Sequence, residues 1–166
     1  GAVWCPGNVT QVAEANIWND PHAADRVFAA DWDIDLIGLD VTQKVTCVQD
    51  DFEGLRQTSP EIGGFLADIT SFYIDFYHSV VGQHICMMHD PSAVIAITDR
   101  DAFEFRQAPL RVICEGEEIG QTVADMQSGR RPVNVAVGVD SARVRKIFLD
   151  ICAQADTIRN KRIAAT

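Results

Sequence analysis

Three short, mainly apolar runs separated by stretches of helical pattern restrict the fold of this sequence more than any other feature. The runs lie at 34–39, 110–114 and 132–137. Each has the length of a strand and is bounded by turn-forming residues. Strands that alternate with helices are typical of an α/β domain, and strands buried on both faces belong to parallel sheets. We therefore predict a single α/β domain over residues 1–166, with an open, mostly parallel, Rossmann-like sheet flanked by helices.

Helix signals fill the intervals between these runs. Asp20 before Pro21 marks an N-cap and a first helical position, and this helix is expected to end near Ala30. Thr10 is a possible N-cap for a helix over 11–18, and further helices are predicted around 42–48, 50–58, 91–98 and from 140 onward. The longest helix runs from 59 to 81 with Gly82 as its C-cap. Its apolar residues recur every 3.6 residues and predict a wide core-facing stripe, made of Ile62, Phe65, Leu66, Ile69, Phe72, Tyr73, Phe76, Tyr77 and Val80.

Composition excludes several classes of function. The 166 residues carry a formal net charge of −10, which argues against binding to nucleic-acid phosphates but is compatible with a cation site built from carboxylates. No run reaches the roughly 18 to 20 apolar residues of a membrane span, and no secretory pattern opens the chain. The five cysteines form no CxxC pair, so we expect reduced, structural thiols. These features predict a cytoplasmic protein without a membrane or nucleic-acid partner.

Two polar groups stand in the first third of the chain. Asn8, Glu14 and Asn16 combine donors and acceptors of the kind that bind the hydroxyl groups of a sugar, although they can equally form ordinary polar surface. Asp40 and Thr42 follow the first apolar run, at the strand end where ligands of α/β sheets bind. A helix N-cap is the alternative for this second pair.

A third group is His89-Asp90-Pro91, which follows the apolar stretch 86–88. An imidazole beside a carboxylate can join proton transfer to cation binding, but Asp before Pro is also a strong helix-cap signal. The aromatic set of Phe72, Tyr73, Phe76 and Tyr77 predicts core packing, with stacking on a planar ligand as the alternative. From residue chemistry alone, the sequence indicates an α/β domain that binds a small polar ligand.

Several segments, in the same order along the chain, resemble the signatures of one enzyme family. That family is the nucleoside hydrolases of the inosine-uridine-preferring type. The segments are Gly7-Asn8-Val9-Thr10, Ala13-Glu14-Ala15-Asn16, Asp20-Pro21-His22-Ala23-Ala24, Leu39-Asp40-Val41-Thr42, His89-Asp90-Pro91-Ser92-Ala93-Val94, Gly120-Gln121-Thr122-Val123-Ala124-Asp125 and Asn134-Val135-Ala136-Val137.

The resemblance implies hydrolysis of the N-glycosidic bond of ribonucleosides to ribose and free base, assisted by a calcium ion that binds the ribose and an attacking water. The same resemblance implies a role for each matching position. Asn8, Glu14 and Asn16 match ribose-binding residues, His89 matches the general acid, Asp90 matches a calcium ligand, and Tyr77 matches a tyrosine near the base.

The chain also departs from the family. Family members are roughly twice as long and begin with the motif Asp-x-Asp-Pro-Gly-x-Asp-Asp, which supplies the catalytic base and most calcium ligands; no segment here matches it. We therefore expect the C-terminal half of the fold, with an incomplete calcium site and no hydrolysis by the isolated chain. We also expect either a homo-oligomer or association with an N-terminal portion. The alternative is a non-catalytic binding or assembly module derived from the same fold.

Overall fold

The structure is a computed structural model that describes residues 1–164. The contacts divide these residues into two compact units. The first comprises 1–43 with 92–140, and the second comprises 44–91 with 141 onward. The prediction of a single domain over 1–166 therefore stays a prediction.

The first unit is a four-stranded sheet with helices. Its elements are α1 (Ala15–Asn19), α2 (Pro21–Ala29), β1 (Asp35–Leu36), α3 (Leu39–Thr42), a 3₁₀ turn (Arg100–Ala102), β4 (Phe103–Val112), β5 (Thr122–Ala124) and β6 (Pro132–Val139). The strand order is β1-β6-β4-β5. Helix α6 (His89–Thr98) contains the boundary with the second unit. The predicted α/β class is thus confirmed.

The strand directions differ from the expected mostly parallel sheet. Only β1 and β6 run parallel, while β4 is antiparallel to both β6 and β5. The segment that joins β4 to β5 is a short turn with Gly116 and Gly120 at positive φ, and a short turn can join only antiparallel neighbours. The helices between β1 and β6 allow a parallel pair. The described sheet is therefore mostly antiparallel.

Helix α1 begins four residues later than predicted. Thr10 does not cap it; its hydroxyl accepts the backbone N–H groups of Val12 and Ala13 instead. Ala13 forms an isolated antiparallel bridge with Gln121, which keeps this stretch extended. Glu14 is the N-cap of α1. By contrast, Asp20 caps α2 as predicted, with its carboxylate accepting from the Ala23 N–H at 2.9 Å.

The core of the first unit lies between α2 and the central strands. It contains aliphatic side chains from β4 and β6 together with one side chain from each of α1 and α2: Ile17, Phe28, Ala108, Leu110, Val112, Val133 and Val135. A half-buried ion pair borders this core, with Arg130 bonded through both terminal nitrogens to Asp25. Asp25 also accepts the Val112 N–H at 2.8 Å, so one carboxylate joins helix α2 to strand β4.

The second unit consists of helices and one short ladder. Its elements are β2 (Thr46–Cys47), α4 (Gln49–Thr58), α5 (Ile62–Val81), β3 (Cys86–Met87), α7 (Ser141–Ala153) and α8 (Ala155–Ile163). The predicted helix over 42–48 is wrong, because Thr46 and Cys47 pair antiparallel with Met87 and Cys86. Cys47 and Cys86 are buried, and burial raises their thiol pKa values to about 11 and about 12. This agrees with structural thiols.

Helix α5 ends at Val81 with the predicted C-cap, but it begins three residues later than predicted, and its buried face includes only Tyr77 of the predicted stripe. Gly82 ends it with φ +73°. The buried residues are Gly63, Gly64, Ala67, Ile74 and Tyr77, whereas most of the predicted core stripe is exposed. Small residues decide this orientation, since a Cβ on Gly63 would lie 2.2 Å from the Leu55 carbonyl oxygen of α4. Close packing of the α4 and α5 backbones therefore stabilises this unit more than burial of the α5 phenylalanine side chains would.

Candidate active site

The three predicted sugar-binding residues lie together at the start of α1. The Asn8 side-chain oxygen accepts the Ala15 N–H at 2.9 Å. Glu14 accepts both the backbone N–H of Asn16 at 3.0 Å and its side-chain amide at 2.9 Å. Because Glu14 caps the helix instead of lying inside it, its carboxylate reaches Asn16 two positions later.

Glu14 is buried, while Asn8 and Asn16 are exposed. Burial alone would raise the pKa of the Glu14 carboxyl, but its hydrogen bonds from the Asn16 and Ile17 N–H groups act to lower it. The Gly1 nitrogen lies 2.9 Å from Glu14 Oε2. The cluster thus combines a buried carboxylate held by backbone donors with two exposed amides, a set of groups that suits hydroxyl groups.

Asp40 has a structural role in this unit. It is buried, and its carboxylate accepts the N–H groups of Val3 at 3.0 Å and Trp4 at 2.8 Å. Gly38, not Asp40, is the N-cap of α3, so the cap alternative is wrong, and Thr42 is buried in the same short helix. Asp40 therefore anchors the segment that leads to Asn8. No local pattern predicted this, because the partners are 36 and 37 residues away.

In the second unit, two tyrosines form a hydrogen-bonded chain to the predicted general acid. Tyr77 Oη lies 2.8 Å from His89 Nε2, and Tyr73 Oη lies 3.1 Å from Tyr77 Oη. Burial, together with the Tyr73 contact, raises the pKa of Tyr77, so its phenol keeps its proton at neutral pH. Tyr77 can donate to a neutral His89 and accept from it once Nε2 carries a proton.

Tyr73 was not among the predicted site residues. It was one of four aromatic residues for which core packing was expected, with stacking on a planar ligand as the alternative. Its spacing from Tyr77 was an available signal, because residues four apart lie on the same helix face. The rings pack edge to face with centroids 4.9 Å apart, which orients both hydroxyl groups along one line of hydrogen bonds.

Asp90 is exposed and is the second residue of α6. It is not an N-cap as the dipeptide with Pro91 predicted, because the helix already begins at His89. Its charge in the first turn still interacts favourably with the helix dipole.

Residues 1–164 contain no group of three or more His, Cys, Asp or Glu side chains placed to hold a metal ion. Calcium takes 6–8 oxygen ligands, so Asp90 can supply one ligand but the described residues do not fit a complete calcium site.

Comparison with known proteins gives one consistent result. A family model described as inosine-uridine preferring nucleoside hydrolase matches residues 1–146. The chain is 34% identical over 154 residues to probable uridine nucleosidase 1 of Oryza sativa subsp. japonica, covering 87% of the chain and 48% of that protein. It is 29% identical to the inosine-uridine preferring nucleoside hydrolase of Crithidia fasciculata, covering 90% of the chain and 49% of that protein.

Solved structures agree with the sequence matches. A purine-preferring ribonucleoside hydrolase from Gardnerella vaginalis superposes with a TM-score of 0.89 at 33% identity, covering 95% of the chain and 51% of that structure. A plant nucleoside hydrolase gives a TM-score of 0.87 at 30% identity, covering 93% and 52%. The chain thus spans about half the length of the relatives that it matches.

Proposed function

This chain belongs to the inosine-uridine preferring nucleoside hydrolase family, and from that premise we propose that it supplies part of the machinery that hydrolyses the N-glycosidic bond of ribonucleosides. The observation that carries the proposal is the hydrogen bond between His89 Nε2 and the Tyr77 hydroxyl. The products are ribose and free base, which makes this a salvage reaction. We assign it to the cytoplasm; within residues 1–164 no helix is long and apolar enough to cross a membrane.

In this proposal His89 is the general acid. As the bond between the sugar and the base nitrogen breaks, negative charge develops on the departing base. A proton from the imidazolium neutralises this charge, a contribution typically worth about 10²–10⁴ in rate. Tyr77 fixes the ring of His89, and Tyr73 orients Tyr77 in turn. By the resemblance, Tyr77 also lies near the base.

Asn8, Glu14 and Asn16 bind the ribose. The exposed amides of Asn8 and Asn16 can both donate to and accept from hydroxyl groups, and the Glu14 carboxylate can only accept. Their hydrogen bonds to α1 hold them in place before a sugar arrives, so little side-chain freedom is lost on binding. Oriented contacts to the ribose would support the positively charged sugar that forms when the bond breaks.

Calcium has a single candidate ligand in this proposal, Asp90. One carboxylate does not make a calcium site, so we derive no catalytic step from the ion. We also assign no residue of the chain as the base that takes the proton of the attacking water. The isolated chain is therefore proposed to be inactive, with hydrolysis requiring groups other than those assigned here.

The test is ribose release from uridine and inosine by the product of the complete natural reading frame that contains this chain. His89→Ala should lower kcat by about 10²–10⁴, and Asn16→Ala should raise KM. A matched control is His84→Ala, a substitution at the exposed histidine five residues before His89, which should leave both constants unchanged. Full activity in the His89→Ala protein would contradict the assignment.

The second candidate function is a non-catalytic binding or assembly module. The observation that favours it is the absence, within residues 1–164, of a group of side chains able to hold a metal. NMR titration of the chain with uridine separates the two readings. Shifts at the Asn8 and Asn16 amides without ribose release from the complete product support the binding module, and ribose release rules it out.

A further inference from the structure

Two buried thiols lie opposite each other in the short ladder of β2 and β3. Cys47 and Cys86 are Cα partners in the register of the two strands, and they are only 1% and 4% exposed. Residues directly opposite each other in a ladder place their side chains on the same face of it. Both cysteines are free thiols, and the proposed hydrolysis uses neither of them.

The hydrogen bonds of the ladder set the spacing of this pair. The Met88 N–H donates to the Val45 carbonyl oxygen at 2.9 Å, so Val45 and Met88 form a hydrogen-bonded pair. Such pairs alternate with non-bonded pairs along an antiparallel ladder, which makes Cys47 and Cys86, two positions further on, a hydrogen-bonded pair as well. Their Cα atoms are therefore expected about 5.5 Å apart, inside the range of about 4.4–6.8 Å that a disulfide spans.

A disulfide between these strands would be reversible. The Cβ atoms of opposite residues lie about 4.5–5.5 Å apart, with the larger values at hydrogen-bonded pairs, whereas a relaxed disulfide needs about 3.5–4.5 Å. Closing the bond therefore draws β3 toward β2 by on the order of 1 Å. Each strand is only two residues long, so little pairing resists this shift. A disulfide closed under such a constraint is more easily reduced than a relaxed one.

Strand β3 connects this pair of thiols to the candidate site. His89 is the third residue after Cys86 in the chain, and helix α5, which carries Tyr77, packs against β3. A shift of β3 therefore reaches both partners of the hydrogen bond between Tyr77 and His89. All of these residues lie within the second unit.

We propose that Cys47 and Cys86 form a reversible redox switch, in which a peroxide joins them as a disulfide and displaces β3 next to His89. The Cys47 thiolate attacks one peroxide oxygen, the O–O bond breaks, hydroxide leaves and the sulfur becomes a sulfenic acid. The Cys86 thiol then attacks that sulfur, and the S–O bond breaks as water leaves. Overall, two thiols and one hydrogen peroxide give one disulfide and two waters. Arg145 donates a hydrogen bond to the Cys47 sulfur, which favours Cys47 as the attacking thiol.

Peptide mapping of the folded chain after treatment with hydrogen peroxide tests the disulfide. The main linked peptide should join Cys47 to Cys86 and should disappear with dithiothreitol. Only a thiolate reacts, and burial raises the two thiol pKa values to about 11 and about 12, so the rate of bridge formation should rise about tenfold per pH unit between about pH 7 and 9. A main bridge from Cys47 to Cys152 would overturn the proposal. So would the absence of a bridge once Met126, which is 73% exposed, is fully oxidised in the same sample.

Serine variants and histidine NMR test the pairing and its effect on the site. Cys47→Ser should lose the bridge, whereas Cys114→Ser, at a half-buried cysteine of the first unit, should keep it. Bridge formation should shift the imidazole ¹⁵N signals of His89 and leave those of the exposed His22 unchanged. Equal loss of the bridge in both variants, or an oxidised chain with unshifted His89 signals, would overturn the switch. These readouts do not require hydrolysis, so a failure of the proposed function would leave them intact.

Discussion

At the scale of single residues, the bond between the Tyr77 hydroxyl and His89 Nε2 links the position of the phenol proton to the tautomer of the imidazole. A phenol that donates to Nε2 favours the neutral tautomer protonated at Nδ1. Tyr77→Phe should therefore change the tautomer ratio of His89 by about two- to tenfold, the range expected for one neutral hydrogen bond. Imidazole ¹⁵N NMR measures the ratio. Tyr73→Phe keeps the Tyr77–His89 bond, so a comparable change in that variant would show that Tyr77 is not the determinant.

The ion pair between Asp25 and Arg130 is expected to account for part of the stability that the chain loses at acid pH. The hydrogen bonds that Asp25 accepts from Arg130 outweigh burial and lower the pKa of its carboxyl below the ordinary value of 3.8. A carboxyl whose pKa is lower in the folded state stabilises the protein above its unfolded pKa, and this stabilisation is lost as pH falls through the folded pKa. Asp25→Asn should cost about 1–3 kcal/mol at pH 7, and the cost should shrink below about pH 4.

Urea unfolding at pH 7 and pH 3 measures this difference. Glu117→Gln, at an exposed carboxylate in the turn between β4 and β5, serves as the control and should change stability by less than about 0.5 kcal/mol at both pH values. An equal loss for Asp25→Asn at pH 7 and pH 3 would mean that the ion pair with Arg130 is not the origin of the effect.

The residues of the candidate site differ in whether a sequence pattern could predict their roles. The ribose-binding roles proposed for Asn8, Glu14 and Asn16 rest on the family resemblance, since the residue types alone fit ordinary polar surface equally well. The structure brings them together because Glu14 precedes the helix and accepts from its first N–H groups. The anchoring role of Asp40 depends on partners distant in sequence, so a local pattern could not predict it.

At the scale of elements, helix ends marked by capping residues were predicted correctly, whereas the two-residue strand β2 was not. Asp20-Pro21 and Gly82 fixed the start of α2 and the end of α5, because capping depends on a few neighbouring residues. Strand β2 was taken for helix, since two residues paired with a distant segment leave no periodicity to detect. The buried face of α5 was also mispredicted, because apolar periodicity does not reveal that glycines can pack more closely than phenylalanines.

The packing of α5 on α4 gives a paired prediction. Gly63→Ala should destabilise the chain by more than about 2 kcal/mol, because its Cβ would meet the Leu55 carbonyl oxygen at 2.2 Å and a backbone must move. Gly64→Ala should be neutral or stabilise by up to about 1 kcal/mol, since its Cβ meets only the flexible Arg56 side chain at 3.4 Å and alanine favours the helix. Thermal unfolding of both variants checks the contrast, and equal effects would contradict the packing described for Gly63.

At the scale of the whole molecule, the α/β class was predictable because alternating strands and helices are a property of the complete sequence. The strand directions were less predictable, because an apolar run does not show whether a buried strand belongs to a parallel pair or to an antiparallel hairpin. The sheet is parallel between β1 and β6, which helices separate in sequence, and antiparallel between β4 and its two neighbours β5 and β6.

The chain spans about half the length of its relatives, and this leads to a prediction for calcium. Because Asp90 is the only ligand assigned and the ion needs 6–8 oxygens, isothermal titration of the chain with calcium should show no saturable binding tighter than about 1 mM. Asp90→Ala should leave that titration unchanged and cost at most about 1 kcal/mol of stability, through its charge in the first turn of α6. Saturable binding at micromolar calcium that disappears in Asp90→Ala would require further ligands near Asp90. The incomplete-site assignment would then be wrong, and the proposal that the isolated chain is inactive would lose its physical basis.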